Sequence, residues 1–210
     1  MKIAFISDTH LMHEKVVIPS DVDAVLHSGD FTNRGTEGEV KRFADWFNAL
    51  DAEYKVCIPG NHDFFCQEEP DAARALFDSS ANSHLLIDES VTVMGKKIYG
   101  SPWQPWFYNW AFNFGAGDDQ QAIDKWNEIP EDTDILLTHG PKYGTLDTVH
   151  AGYGVGCKFL KERIDRLTNL SIHSFGHIHE SRGIVSWSGL ISINAAMARN
   201  ISEGPFVLSI

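Results

Sequence analysis

Ile58-Pro59-Gly60-Asn61-His62-Asp63 is the stretch on which the reading of this chain turns. Residues 54–58 form an apolar, β-rich run that reads as a strand; Pro59-Gly60 breaks it, and three polar side chains follow at once. In an open α/β sheet, residues so placed lie just beyond the carboxyl end of a strand, where such folds bind ligands. Asn61 offers an amide oxygen to a divalent cation, and His62 a ring that exchanges a proton near neutral pH. Asp63 offers a carboxylate that can hold that ring or cap the next segment. Alone, an Asn-His-Asp after a Pro-Gly turn is more often an ordinary polar loop. The other strand ends decide between the two.

Working outward, the strand predicted over 2–7 is closed by Asp8-Thr9-His10, and the one over 23–28 by Gly29-Asp30. The run 134–137 ends in Thr138-His139-Gly140-Pro141, and 171–175 in Gly176-His177-Ile178-His179-Glu180. In an extended backbone, residues two apart share a face, which would align Asp8 with His10 and His177 with His179. For Asp8-Thr9 a helix N-cap is an equal reading. Between the second and third strands, Val40, Phe43, Ala44, Phe47 and Leu50 recur at three and four, predicting a helix over 37–50 and hence a βαβ unit of a largely parallel sheet. Further helices are predicted over 70–77, 119–128 and 159–167. Strands are predicted over 85–87, 90–94 and 97–99, the last two paired around Gly95, and over 184–187, 190–194 and 206–210, these three antiparallel. No repeat or linker interrupts the chain, so residues 1–210 read as one domain.

Composition narrows the class. With 17 Lys and Arg against 29 Asp and Glu, the net charge is −12, which argues against gripping a nucleic-acid polymer. No apolar run approaches the roughly 20 residues of a membrane span. The N-terminus has no signal-peptide pattern, and Cys57, Cys66 and Cys157 form no C-x-x-C pair, so free thiols in a cytoplasmic protein are the simplest expectation. Between Trp103 and Phe112, six aromatics occupy ten positions with no helical or strand period. They read either as a packed cover for one end of the core or as a stacking platform for a nucleobase, Trp103 and Trp106 being the candidates for the second role. Among the remaining histidines, His27 and His173 sit in strands and read as structural. His84 reads as exposed, and His13 and His150 as lining a substrate cleft.

Taken together, Asp8-x-His10, Gly29-Asp30, Gly60-Asn61-His62-Asp63, His139 and Gly176-His177-x-His179 resemble the five-block signature of the calcineurin-like metallophosphoesterase superfamily. Ser101-Pro102-Trp103-Gln104-Pro105-Trp106, Thr138-His139-Gly140-Pro141 and Phe175-Gly176-His177-Ile178-His179-Glu180 further resemble its metallophosphoesterase-domain-containing branch. The resemblance implies an α/β fold, a four-layer α-β-β-α sandwich of two mixed β-sheets flanked by helices. It implies two divalent metal ions, Mn²⁺ with Fe or Zn²⁺ as alternatives. One would be held by Asp8, His10, Asp30 and His179, the other by Asp30, Asn61, His139 and His177. It implies a phosphodiesterase for small phosphoesters or nucleotides, cyclic nucleotides among them, acting through metal-activated hydroxide with His62 protonating the leaving oxygen and Asp63 orienting. Phosphoprotein phosphatases of the superfamily carry Gly-Asp-x-x-Asp-Arg-Gly, where this chain has Gly29-Asp30-Phe31-Thr32-Asn33-Arg34-Gly35. Asn33 could orient His62 by a hydrogen bond without supplying charge, and Arg34 could bind phosphate or form a surface ion pair. A phosphomonoesterase or phosphoprotein phosphatase is therefore the alternative, and a nucleotide-binding regulatory module a more distant one. Nothing in the sequence bears on oligomeric state.

Overall fold

Alternation along the strands fixes the layers. The computed structural model describes residues 1–78 and 82–210. One sheet contains β1 (Lys2–Ile6), β2 (Ala24–His27), β3 (Tyr54–Cys57), β4 (Ser83–Leu85) and β11 (Phe206–Ser209), in the order β11-β1-β2-β3-β4 and parallel except for β11. The other contains β5 (Glu89–Val93), β6 (Lys96–Ser101), β7 (Ile135–Thr138), β8 (Ile172–Phe175), β9 (Gly183–Trp187) and β10 (Leu190–Asn194), in the order β5-β6-β7-β8-β10-β9. Ile3, Phe5 and Leu26 of the first sheet pack against Ile98, Leu137 and Ile193 of the second, forming the core between the sheets. The alternate residues of β1, Ala4 and Ile6, face outward onto α1 (Glu37–Asn48), α2 (Phe64–Glu68) and α3 (Pro70–Phe77). On the far side, Tyr99 and Leu136 meet Trp126 of α4 (Asp119–Asn127) and Leu160 of α5 (Lys158–Ile164). The result is the four-layer α-β-β-α sandwich. The central strands are buried on both faces and mostly apolar, as parallel sheets require, with His27 and His173 among the exceptions.

Helix α1 shows how local sequence sets up the site. Thr36 caps it by accepting from the Glu39 N–H at 3.3 Å. Glu39 in turn accepts from the N–H groups of Asn33 and Arg34, at 3.3 and 2.7 Å. The helix start therefore pins the loop that follows β2.

The structure departs from the sequence expectations at several points. Residues 86 and 87 are not in a strand, because β4 runs from Ser83 to Leu85 and is held by pairing with β3. Of the three late strands, β9 and β10 pair antiparallel as expected and β11 runs antiparallel to β1 in the other sheet, but β10 is also parallel to β8, since it inserts between β8 and β9. The single turn α2 was not anticipated; five residues give too short a window for a periodic signal. His13 is fully buried beside Phe43 and Trp46, not in a cleft, and His84 is half-buried.

His27 and His173 are core residues. His27 Nδ1 accepts from the Gly29 N–H, so its Nε2–H is the donor to Thr9 Oγ1 at 3.0 Å. The Thr138 hydroxyl donates to the Gly140 carbonyl, so His173 must donate from Nε2 to Thr138 Oγ1, 2.8 Å away. Burial, reinforced by the charge of Lys142, pushes His173 down to about 3 from 6.5. Between those values the unfolded chain binds a proton that the folded chain refuses, so acid favours unfolding in that window. Relative to His173→Gln, the natural chain should therefore lose stability as pH falls below about 6.5, by up to about 1.4 kcal/mol per pH unit. Urea midpoints measured from about pH 7 to about pH 5 read this directly, and a pH-independent difference would contradict it.

Candidate metal centre

The loops after β1, β2, β3, β7 and β8 open at one end of the sandwich, and there the backbone is unusual. Asp8, His10, Asp30 and His177 all have positive φ, at 53°, 41°, 56° and 65°. Left-handed backbone at non-glycine residues costs on the order of 1–3 kcal/mol each and persists where surroundings enforce it. The two-residue extended spacing expected for Asp8 and His10 is thus not what aligns them. β1 stops at Ile6, and hydrogen bonds from Asp8 N to Gly29 O and His10 N to Asp30 O hold the turn instead. Two glycines permit the close packing. A Cβ on Gly60 would lie 2.4 Å from Asp30 Oδ1, and one on Gly176 would lie 1.9 Å from Asp8 Oδ2.

The side chains expected at the site converge. Donor atoms of Asp8, His10 and His179 lie within 4.8 Å of one another, as do those of Asp30, His139 and His177. A third such group, His10, Asp30 and His62, links the other two. Asn61 Oδ1 is 2.9 Å from His139 Nε2. Carbonyls fix the ring orientations. His139 Nδ1 donates to Ser28 O at 3.0 Å, His10 Nδ1 to Thr32 O at 3.1 Å, and His62 Nδ1 to Asn33 O at 2.7 Å. Each ring therefore turns Nε2 toward the centre, the arrangement metal-ligating histidines share.

Electrostatics describe a site made for cations. Asp8 is fully buried and Asp30 is 2% exposed, yet among the described residues their ion-pair partners within 4.0 Å are all histidines. Burial alone would raise both carboxyls. For Asp8 the hydrogen bond and charge of His179 overcome it and bring the group to about 2. For Asp30, His139, His62 and His10 hold it well below the ordinary carboxylate range. Burial lowers His139, but Asp30 outweighs it and raises the ring to about 9, whereas burial and the charge of His139 bring His177 down to about 4. The decisive contact is at His139. Its Nδ1–H is committed to a carbonyl, and its Nε2 faces two oxygen acceptors, Asn61 Oδ1 and Asp30 Oδ2, the latter at 3.4 Å. Either a proton on Nε2 or a cation shared among these atoms satisfies all three. Imidazole, carboxylate and amide donors in this mixture suit Mn²⁺, Fe or Zn²⁺ rather than the all-oxygen preferences of Mg²⁺ or Ca²⁺.

Residues 1–181 match the family described as calcineurin-like phosphoesterase. This chain belongs to that family. It is 38% identical over 91% of its length to human metallophosphoesterase domain-containing protein 1, of which the match covers 64%. It is also 33% identical to UPF0046 protein C25E10.12 of Caenorhabditis elegans, over 94% of this chain and 75% of that one. A weaker match, 23% over 83% of this chain and 62% of the relative, is "Probable glycerophosphodiester phosphodiesterase GpdQ" of Arcobacter nitrofigilis. Of solved structures, TT1561 of Thermus thermophilus superposes with a TM-score of 0.70 over 99% of this chain and 98% of that one, at 11% identity, a likeness of fold. Among the described residues, no helix is long and apolar enough to cross a membrane.

Other residues singled out in the sequence fall in different places around this calcineurin-like centre. Asn33 holds His62 through its main-chain carbonyl rather than its side chain. Asp63 makes no contact with the His62 ring. Its Oδ2 accepts from the N–H groups of Asp30 and Gly60 at 3.0 and 2.7 Å, and its Oδ1 from the Thr32 N–H and hydroxyl at 3.0 and 2.6 Å. It ties the second and third loops together from beneath. Burial, then the charge of Asp30, raises it to about 7. Arg34 is exposed and has no ion pair among the described residues. Trp103 is no platform: its indole N–H donates to Asp88 at 2.8 Å, and its ring stacks on Phe114. Trp106 is 52% exposed and borders a separate hollow with Phe114 and Phe159. His150 is exposed, bonded to Arg199 beside Glu180.

The rings that do flank the centre are ones sequence reasoning passed over. Trp110 lies on His62 with centroids 4.2 Å apart, and Phe107 meets His177 edge-on at 6.0 Å. An aperiodic aromatic run gives no signal for which ring faces the site. The Asp63 geometry yields a test. Asp63→Asn puts an amide NH₂ against N–H or O–H donors without touching a ligand atom, so Mn²⁺ affinity by titration calorimetry should fall about 10–100-fold, as loss of a supporting partner does. Unchanged affinity would refute the tying role.

Proposed function

We propose that this chain hydrolyses small phosphodiesters at a dinuclear metal centre. The observation that carries the reading is Asp30, whose carboxylate belongs to one donor group with His139 and His177 and to another with His10 and His62. One cation would be held by Asp8, His10, Asp30 and His179, the other by Asp30, Asn61, His139 and His177, with Asp30 serving both. When bound, such a pair supplies Lewis acidity toward phosphoryl oxygens and lowers the pKa of water toward about 7. The local field is then positive on a chain of net charge −12, which admits an anionic substrate.

The chain's own residues supply the rest. With Nδ1–H on the Asn33 carbonyl, His62 turns Nε2 toward the centre beside His10 and Asp30, from where it would deliver a proton to the departing alkoxide. Trp110 and Phe107 form apolar walls on either side, suited to the organic part of a nucleotide or other small diester. The diester preference is supported by the similarity to the Arcobacter protein, which is named a probable glycerophosphodiester phosphodiesterase. Arg34, without a carboxylate partner among the described residues, supports phosphomonoesters as the second reading. The free, buried thiols of Cys57, Cys66 and Cys157 support a reducing, cytoplasmic setting.

With Mn²⁺ present, Asp30→Ala and His139→Ala should each reduce turnover of bis-p-nitrophenyl phosphate to background; activity at the natural level in either would end the proposal. His62→Ala should slow esters of alkyl alcohols by about 10²–10⁴-fold, the worth of a general acid. It should slow p-nitrophenyl esters much less, because that leaving group needs no proton. Equal losses on both would remove the acid role. Rates on matched mono- and diesters, and their response to Arg34→Ala, separate the two substrate readings.

A further inference from the structure

The hairpin of β9 and β10 turns on Ser188 and Gly189, with φ of 50° and 87°. In a two-residue primed turn of this kind, the flanking pair, Trp187 and Leu190, exchanges both ladder hydrogen bonds. Alternation then commits Val185 and Gly183 to β10 and leaves the N–H and C=O of Ile184 and Ser186 pointing outward. β9 ends its sheet, and among the described residues no turn, loop or side-chain hydrogen bond uses these outward groups. Natural edge strands are guarded by charge or proline. The opposite edge, β5, carries Glu89 paired with Arg74. β9 is Gly-Ile-Val-Ser-Trp, without a charge, and Ile184, Val185 and Trp187 are 39%, 40% and 84% exposed. The adjoining Arg182 is bound back to Glu203 and lies over Phe206.

We propose that β9 is a self-association edge, on which a second copy of this chain pairs antiparallel about a twofold axis through Val185. The strand complements itself in that register. Ile184 meets Ser186, so the outward-bonding residues face each other and the ladder closes. Val185 meets Val185, and Trp187 meets Gly183 at the close spacing of a non-hydrogen-bonded pair, about 4.5 Å between Cα atoms. Gly183 leaves room for the indole: a Cβ there would point at Leu146 Cδ2, 3.5 Å away. Leu146, Val185 and Trp187 line one side of a cleft of about 920 Å³. Trp187 of the second copy thus comes down on the apolar edge of that cleft, and by symmetry the contact is made twice. An exposed tryptophan seated in a partner's hollow is the usual form of an interface anchor. The cleft lies outside the metal centre, so this inference is independent of the proposed activity.

Sedimentation velocity at tens of micromolar should give twice the chain mass of 23.5 kDa. Val185→Lys places two ammonium groups directly opposite across the axis and should return the protein to 23.5 kDa with its circular dichroism unchanged. Val185→Cys, on a chain whose native thiols are all buried, should form a disulfide-linked dimer under mild oxidation. The control Val17→Cys, at a site 79% exposed elsewhere, should not. A natural chain that sediments as a monomer, a dimer that survives Val185→Lys, or cross-linking through residue 17 as fast as through 185 would each overturn the proposal. Should Val185→Lys fail to fold, the cysteine comparison decides.

Discussion

Two carboxylates, Asp8 and Asp30, are carried into the protein with no arginine or lysine among the described residues to meet them. An uncompensated buried charge costs several kcal/mol, so the fold is sustainable only if positive charge is brought to that spot. The surrounding imidazoles can hold protons or share cations, and in His10, His62 and His139 the carbonyl-anchored Nδ1 leaves only Nε2 to do so. Everything notable at this end of the sandwich serves that arrangement. Left-handed turns aim Asp8, His10, Asp30 and His177 inward, and glycines let loops approach within a carboxylate's width.

The sandwich supplies what the site needs from elsewhere. Parallel strands, buried on both faces, bring the ends of β1, β2, β3, β7 and β8 together although their residues lie more than 160 positions apart. Asp63, placed under the turn after β3, fastens that turn to the one after β2 through three hydrogen bonds, from the Asp30 N–H and from the Thr32 N–H and hydroxyl. The precision of the donor groups comes from this buried scaffold rather than from the ligands themselves.

Much of this was legible in the sequence because the signals are local. Apolar runs closed by short polar turns mark the strands, and the order of those turns carries the family resemblance. What was not legible depends on contacts distant in the chain. Trp103 and Trp110 look alike in an aperiodic aromatic stretch, and only Asp88 and His62, far from them in sequence, sort one into packing and the other against the site. Asp63 reads as a partner for its neighbour His62, yet its acceptors are taken by Asp30, Thr32 and Gly60. The alignment of Asp8 and His10 was expected for a reason that fails, since the backbone there is left-handed rather than extended.

The central claim is that Asp30 bridges two cations. Anomalous diffraction from crystals grown with Mn²⁺ tests it most directly. The account predicts two manganese peaks about 3.5–4 Å apart, the separation of two-metal phosphoesterase sites, with one Asp30 oxygen between them. A single peak, or two peaks with Asp30 bound to only one, would contradict it.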